Sequence, residues 1–201
     1  MNRRDVVIIE SGGANIASLQ YALERLDVRA SLSADAGRIR QASHVILPGV
    51  GAAGDAMRRL RAAALDELIP TLRQPLLGIC LGMQLLFESS AEDHTACLGI
   101  IPARAERLPA AADRPVPHIG WNTLDTLGDS ALLEGLRAGD HAYFVHSYAL
   151  PVGAWTSAKT SYGQTFSACV QQANFFGVQF HPERSARVGA RLLRNFIEIN
   201  P

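Results

Sequence analysis

Residues 76–86 read LLGICLGMQLL. The first four are an apolar run of strand length, and the run ends on Cys80. The chain then turns through glycine and resumes with the spacing of an amphipathic helix. A strand that passes through a tight turn directly into a helix is one unit of a parallel α/β fold. Gly78 and Gly82 remove side chains on either side of the turn, so backbone can approach closely there. Such a turn exposes the sulfur of Cys80 and sets it beside a helix N-terminus, whose dipole favours thiolate. The amide of Leu81 opens that helix and can point at a developing oxyanion. Losing one such donor typically costs about 2.7–4 kcal/mol of transition-state stabilisation.

The segments upstream of this unit repeat its pattern. Strands are expected at residues 6–9, 28–32 and 44–47, and again at 76–79. Helices are expected in GGANIASLQYALERL (12–26), in the stretch between the second and third strands, and near residues 55–68. Residues 48–51 read as a tight turn. The alternation predicts a parallel sheet with helices on both faces, and ligands bind such sheets at the carboxyl ends of the strands. Glu10, Pro48 and Cys80 all lie there. The second half changes character: YFVHSYAL (143–150), AWTSAKTSYG (154–163) and TFSACVQ (165–171) are short strand candidates separated by turn signals. They predict an antiparallel or mixed extension of the sheet. Residues 185–199 read as a closing helix with Leu192, Leu193, Phe196 and Ile197 on its apolar side, and LPAAADRPVP (108–117) as a surface loop. The expected fold is a three-layer α/β domain spanning residues 1–201.

Composition excludes several classes. Of 201 residues, 48% are apolar, which argues for a packed core and against disorder. Lys plus Arg and Asp plus Glu number 19 each, so no charge excess points to nucleic acid. The apolar run in MNRRDVVIIE stops at Glu10, too short for a secretion signal or a membrane span. Cys80, Cys97 and Cys169 are odd in number and scattered, so a disulfide framework is not expected and the cytoplasm is the default compartment. The histidines lack metal-ligand spacing, so neither zinc nor another cofactor is expected. SGGAN (11–15) lacks the spacing of a dinucleotide or Walker loop. His118 and His146, each taken alone, read as packing or surface residues, and Arg187, Arg191 and Arg194 as a solvated helix face.

A second apolar run, GVQFHPE (177–183), delivers His181 and Glu183. Pro182 cannot continue a central ladder, so His181 belongs at a strand end, facing a cleft. In an extended segment His181 and Glu183 share a face. A cysteine on an elbow, a histidine and a carboxylate are the ingredients of acyl transfer: nucleophile, proton shuttle and orienting group. LPGVGAAGD (47–55) is either an ordinary strand–turn–helix loop or a flexible strand lending amides near Val50 and Gly51 to the same oxyanion.

Together LPGVG, GICLGMQLL and GVQFHPE resemble the class I, triad-type glutamine amidotransferases. VPHIGWN (116–122), YFVHSY (143–148) and ESGGANIASLQYAL (10–23) narrow the likeness to the glutaminase subunits of imidazole glycerol phosphate synthases, over residues 8–196. The resemblance implies that Cys80 attacks the side-chain amide of glutamine to form a glutamyl thioester. It implies that His181 protonates the departing ammonia and then activates water, and that Glu183 orients His181. Gly51, Gln84, Ser147 and Tyr148 match positions that hold glutamine or line its pocket. The implied partner is a (β/α)8-barrel cyclase in a 1:1 heterodimer, onto which Asn15, Trp121, Asn122, Tyr143 and Arg184 would dock. That cyclase is implied to use the shielded ammonia to make imidazole glycerol phosphate and aminoimidazole carboxamide ribotide for histidine biosynthesis. The chain departs from the family pattern at Glu10-Ser11-Gly12 (usually Asp-Tyr-Gly), Ala14 (Gly), Ala53 (Phe) and Arg184 (Lys). None of these touches the triad. Rival readings are the glutaminase of pyridoxal-phosphate synthase, which VPHIGWN disfavours, and a non-catalytic paralogue, which the intact triad disfavours.

Overall fold

The computed structural model describes residues 4–12 and 16–200. The first half runs β1 (Val6–Ile9), α1 (Ile16–Glu24), β2 (Ala30–Ser33), α2 (Ala36–Gln41), β3 (His44–Gly49), α3 (Ala53–Ala62), α4 (Leu65–Leu68), β4 (Leu76–Cys80) and α5 (Leu81–Leu85). The second half runs β5 (Phe87–Ser90), β6 (Thr95–Ala96), β7 (Ile101–Arg107), β8 (His118–Thr123), β9 (Thr126–Leu127), β10 (His141–His146), β11 (Tyr148–Ala149), β12 (Thr156–Tyr162), β13 (Gln164–Gln172), β14 (Phe175–Val178) and α6 (Ala186–Glu198).

The main sheet has the order β2-β1-β3-β4-β14-β13-β12-β9. From β2 through β14 every neighbour is parallel, and β13, β12 and β9 complete the sheet antiparallel. Alternate residues of each central strand feed two separate cores, as the two-residue period of a strand requires. Val6 and Ile8 pack with Leu19 and Leu23 of α1 and with Leu192, Leu193 and Phe196 of α6. Val7 and Ile9 pack with Ile39 of α2, Met57 and Leu60 of α3, and Phe87. These strands therefore carry unbroken apolar runs because both of their faces are covered.

Several expectations shift. The second strand covers Ala30–Ser33 rather than residues 28–32. The third continues through Pro48 and Gly49, where Gly49 pairs with Cys80, so the turn begins later than read. The helix expected over 55–68 breaks at Ala64, whose φ of +53° ends α3 and starts α4 afresh. The helix after Cys80 spans only five residues and is buried on every side, so it is not amphipathic. The YFVHSYAL segment does not extend the main sheet. Its first part, β10, pairs with β8 in a separate antiparallel ribbon, and β11 joins a four-stranded sheet, β11-β7-β5-β6.

The ribbon has two unlike faces. Ala142, Phe144 and His146 point inward, with Phe144 against Phe166 and Phe180. Ile119 and Trp121 stand outward, 60% and 54% exposed. Among the described residues, no helix is long and apolar enough to cross a membrane.

Candidate active site

Cys80 sits where β4 ends and α5 begins, with φ +54° and ψ −112°. A non-glycine residue there carries backbone strain of about 1–3 kcal/mol, which packing must hold. The packing is visible at the glycines. A Cβ on Gly82 would overlap the Leu47 carbonyl oxygen, and one on Gly78 would come within 2.7 Å of the Gly82 carbonyl. The elbow therefore fits only because three backbone segments touch one another directly.

His181 follows β14, two strands from β3. Its backbone N–H donates to the Tyr143 carbonyl at 2.9 Å. Pro182–Arg184 then forms one 3-10 turn. Ser185 clamps this turn: its hydroxyl donates to the His181 carbonyl at 2.7 Å and accepts the Tyr143 N–H at 2.9 Å. The His181 ring meets Glu183 through Nδ1···Oε1 at 2.9 Å, and His181 and the Cys80 sulfur line the same cavity. Burial alone would lower the His181 pKa, but its bonds to Cys80 and Glu183, with their charges, raise it to about 10. The arrangement favours a protonated imidazole at His181, in the same cavity as the Cys80 sulfur.

These groups open into a cavity of about 260 Å³, lined by Val50, Gly51, Leu81, Gln84, Ser147 and Tyr148 among others. All six pocket residues read from the sequence therefore converge on Cys80. Gln84 is held firmly: its Nε2 donates to the Tyr148 carbonyl and to Gln179 Oε1, both at 2.9 Å. Gln179, fully buried, reaches the Cys80 sulfur with its own Nε2 at 3.7 Å.

Sequence reading missed Glu92. It follows β5 on a 3-10 turn, lines the same cavity, and accepts the Ala53 N–H at 2.7 Å through Oε2. No motif marked it, because its role arises only when β5 folds back over the pocket. Missed also was the pairing of His118 with His146. The two are buried and joined Nδ1···Nε2 at 3.1 Å, not isolated packing residues.

Trp121, Tyr143 and Arg184 cluster outside the triad. The Trp121 and Tyr143 rings meet edge-on at 5.8 Å, and the Arg184 guanidinium lies 4.4 Å from the Tyr143 ring centre. Asn122 is half-buried on β8, and Asn15 and Ala14 lie outside the described residues. Of the departures from the family pattern, Ser11 has a visible consequence. Its hydroxyl donates to the Pro48 carbonyl at 2.8 Å, so it ties down the end of β3 just before the turn. Among the described residues, no group of three or more His, Cys, Asp or Glu side chains could hold a metal ion.

The profile of the glutamine amidotransferase class-I family matches residues 7–199. The chain belongs to that family. Among named proteins similar to this amidotransferase, the imidazole glycerol phosphate synthase subunit HisH of Xanthomonas axonopodis pv. citri is 54% identical over 196 residues, 98% of each chain. The imidazole glycerol phosphate synthase subunit HisH 2 of Legionella pneumophila subsp. pneumophila is 50% identical over 194 residues, 96% of this chain and 98% of that one. A solved glutamine amidotransferase structure superposes on this one with a TM-score of 0.74 at 21% identity, covering 96% and 97% of the two chains. That likeness bears on the fold alone.

Proposed function

We propose that this amidotransferase is the glutaminase subunit of an imidazole glycerol phosphate synthase. It hydrolyses glutamine to glutamate and ammonia and hands the ammonia to a cyclase subunit, within histidine biosynthesis in the cytoplasm. The observation that carries the chemistry is the His181–Glu183 bond with His181 and Cys80 together in the wall of one small-molecule cavity.

The reaction follows from these positions. The Cys80 sulfur attacks the carboxamide carbon of glutamine, and the carbonyl oxygen becomes an oxyanion. The Leu81 amide at the start of α5, with amides of the Val50–Gly51 segment, stabilises it. His181, its Nδ1–H bonded to Glu183, gives a proton from Nε2 to the departing ammonia. A thioester remains. His181 then takes a proton from water, whose oxygen attacks the thioester and releases glutamate while the proton returns to the thiol. Glu92 offers a carboxylate to the α-ammonium of the substrate, and Gln84, Ser147 and Tyr148 complete the pocket.

A second space of about 20 Å³, room for one water-sized molecule, lies on the far side of His181 between Leu19, Pro48, Ile79 and Glu183. It gives the ammonia a first place to go other than back through the pocket mouth. The partner is a (β/α)8-barrel cyclase in a 1:1 complex, docked on the Trp121–Tyr143–Arg184 face. The chain acts as a single domain, and the names of the similar proteins support the subunit assignment.

The test is glutamate release from glutamine by the chain alone and with a cyclase partner and its nucleotide substrate. Strong release in the complex is expected. Cys80→Ala should abolish glutamine-dependent synthesis and spare ammonia-dependent synthesis by the partner. No release from a folded, partner-bound wild type would overturn the glutaminase reading, and loss of both syntheses in the variant would overturn the donor role.

A further inference from the structure

Two buried histidines that the reaction above does not use stand directly opposite each other in the β8–β10 ribbon. His118 and His146 are register partners, and both side chains face the interior. His146 also lines the glutamine cavity. Its Nδ1 lies 2.8 Å from the Tyr148 carbonyl oxygen, its Nε2 lies 3.1 Å from His118 Nδ1, and His118 Nε2 lies 3.5 Å from Asn122 Nδ2.

These contacts fix the protons. A carbonyl oxygen only accepts, so His146 must carry its hydrogen on Nδ1. In a neutral ring Nε2 is then an acceptor, so His118 must donate to it from Nδ1. His118 Nε2 is left as an acceptor facing the Asn122 amide, at a distance that makes this last contact weak. Both rings are held neutral by burial, which lowers their pKa values to about 4 for His118 and about 3 for His146. The His118 ring is also fixed in orientation, stacked on Tyr162 at 4.0 Å and on Phe144 at 5.1 Å.

We propose that His118 and His146 are positioning residues for the amidotransferase, a tautomer-locked pair that holds the Tyr148 carbonyl and, through it, the Gln84 amide in the pocket wall. The line continues from Gln84 to Gln179 and on to the Cys80 sulfur, so the pair supports one side of the site without touching the reacting atoms. Its action depends on direction. Without the His118 N–H, His146 Nε2 loses its hydrogen-bond partner, and the ring that presents Nδ1–H to the Tyr148 oxygen is no longer held from its other side. A ring free to tilt would hold the Tyr148 carbonyl less well, and with it the Gln84 amide that donates to the same oxygen. Because Gln84 and Tyr148 meet the substrate rather than the breaking bond, the cost should fall on glutamine binding more than on turnover.

The inference rests on glutamine being what the pocket holds, so the experiment uses the complex with its cyclase partner and measures glutamate release. For His118→Leu, KM for glutamine should rise about tenfold while kcat changes by less than about threefold. His118→Asn, which keeps an N–H near the Nδ1 position, should recover most of the loss. In the wild-type chain, nitrogen-15 NMR at neutral pH should show both rings protonated on Nδ1. An unchanged KM in folded His118→Leu, or either ring protonated on Nε2, overturns the proposal. If His118→Leu does not fold, the wild-type tautomers decide alone. A wild-type complex without glutaminase activity would instead sink the glutamine reading and this inference with it, a result distinct from a working wild type with an indifferent variant.

Discussion

His181 keeps its proton against its own burial, because Cys80 and Glu183 both stabilise the charged ring. A folded-state pKa of about 10, above the usual value of 6.5, makes the charged ring a stabilising feature below about pH 6.5 that is lost as pH rises through about 10. The same proton serves the leaving ammonia. Glutaminase kcat/KM of the complex should therefore hold through neutral pH and fall on an alkaline limb near 10 that belongs to His181. A pH–rate profile with its alkaline limb near 7 would contradict this. Glu92 makes a different kind of contribution. In Glu92→Gln the bond to the Ala53 N–H survives but the charge facing the substrate is gone. A charge-assisted hydrogen bond is worth about 1.5–3 kcal/mol, so KM for glutamine should rise at least about tenfold with kcat nearly kept, as steady-state kinetics would show. Cys80, His181 and Glu183 were legible in the sequence because each stands where an apolar run stops. Glu92 was not, because a carboxylate on an acidic surface turn looks the same in sequence whether or not a pocket lies beneath it.

The β8–β10 ribbon is the element in which sequence and structure differ most. The β10 segment reads as a strand, and it is one, but its partner was misread as the main sheet and β8 was not read as a strand. The cause lies in the register. His118 through Thr123 align with His146 back to His141, residue against residue, across a loop that carries no short-hairpin signal. Only that alignment reveals that the two histidines meet and that Trp121 and Tyr143 share the outer face. The outer face is also where an exposed aromatic is costly to leave without a function. Trp121→Ala should weaken binding of the cyclase by about 2 kcal/mol or more, roughly thirtyfold in Kd. The thermal midpoint should move little, since Trp121 is turned away from the core. Isothermal titration of the complex alongside melting of the free chain separates the two effects, and an unchanged Kd would remove Trp121 from the docking face.

Across the whole molecule, the parallel order brings the ends of β3, β4 and β14 side by side, which is why segments 47–55, 76–86 and 177–183 meet at one edge. For β3 and β4 that followed from the alternation of apolar runs and helical stretches; the parallel place of β14 beside β4 did not. The small four-stranded sheet did not, because β6 and β11 are two residues each and leave no period to read. The interior also stores three histidines, His44, His118 and His146, all with pKa values lowered by burial. The unfolded chain protonates such groups from about pH 6.5 downward and the folded chain only far below, so stability is intact above 6.5 and drains away as pH falls toward 4 and 3. Each group can contribute up to about 1.4 kcal/mol per pH unit. Urea midpoints should drop steeply between about pH 6.5 and 4.5, below the window in which His181 adds its own opposite pH dependence. A flat midpoint across that range would mean that the buried rings open to water without unfolding.

Cys80 lines the cavity, whereas burial pushes the Cys97 thiol up to about 11 and the wholly enclosed Cys169 thiol higher still. A thiol at either of those positions is almost entirely protonated at neutral pH and is a poor nucleophile there. The molecule thus sorts its own sulfurs. A haloacetamide tag added under mild conditions has a single address, and the protection that glutamine gives that address becomes a direct gauge of pocket occupancy, with no need to engineer the other two cysteines away.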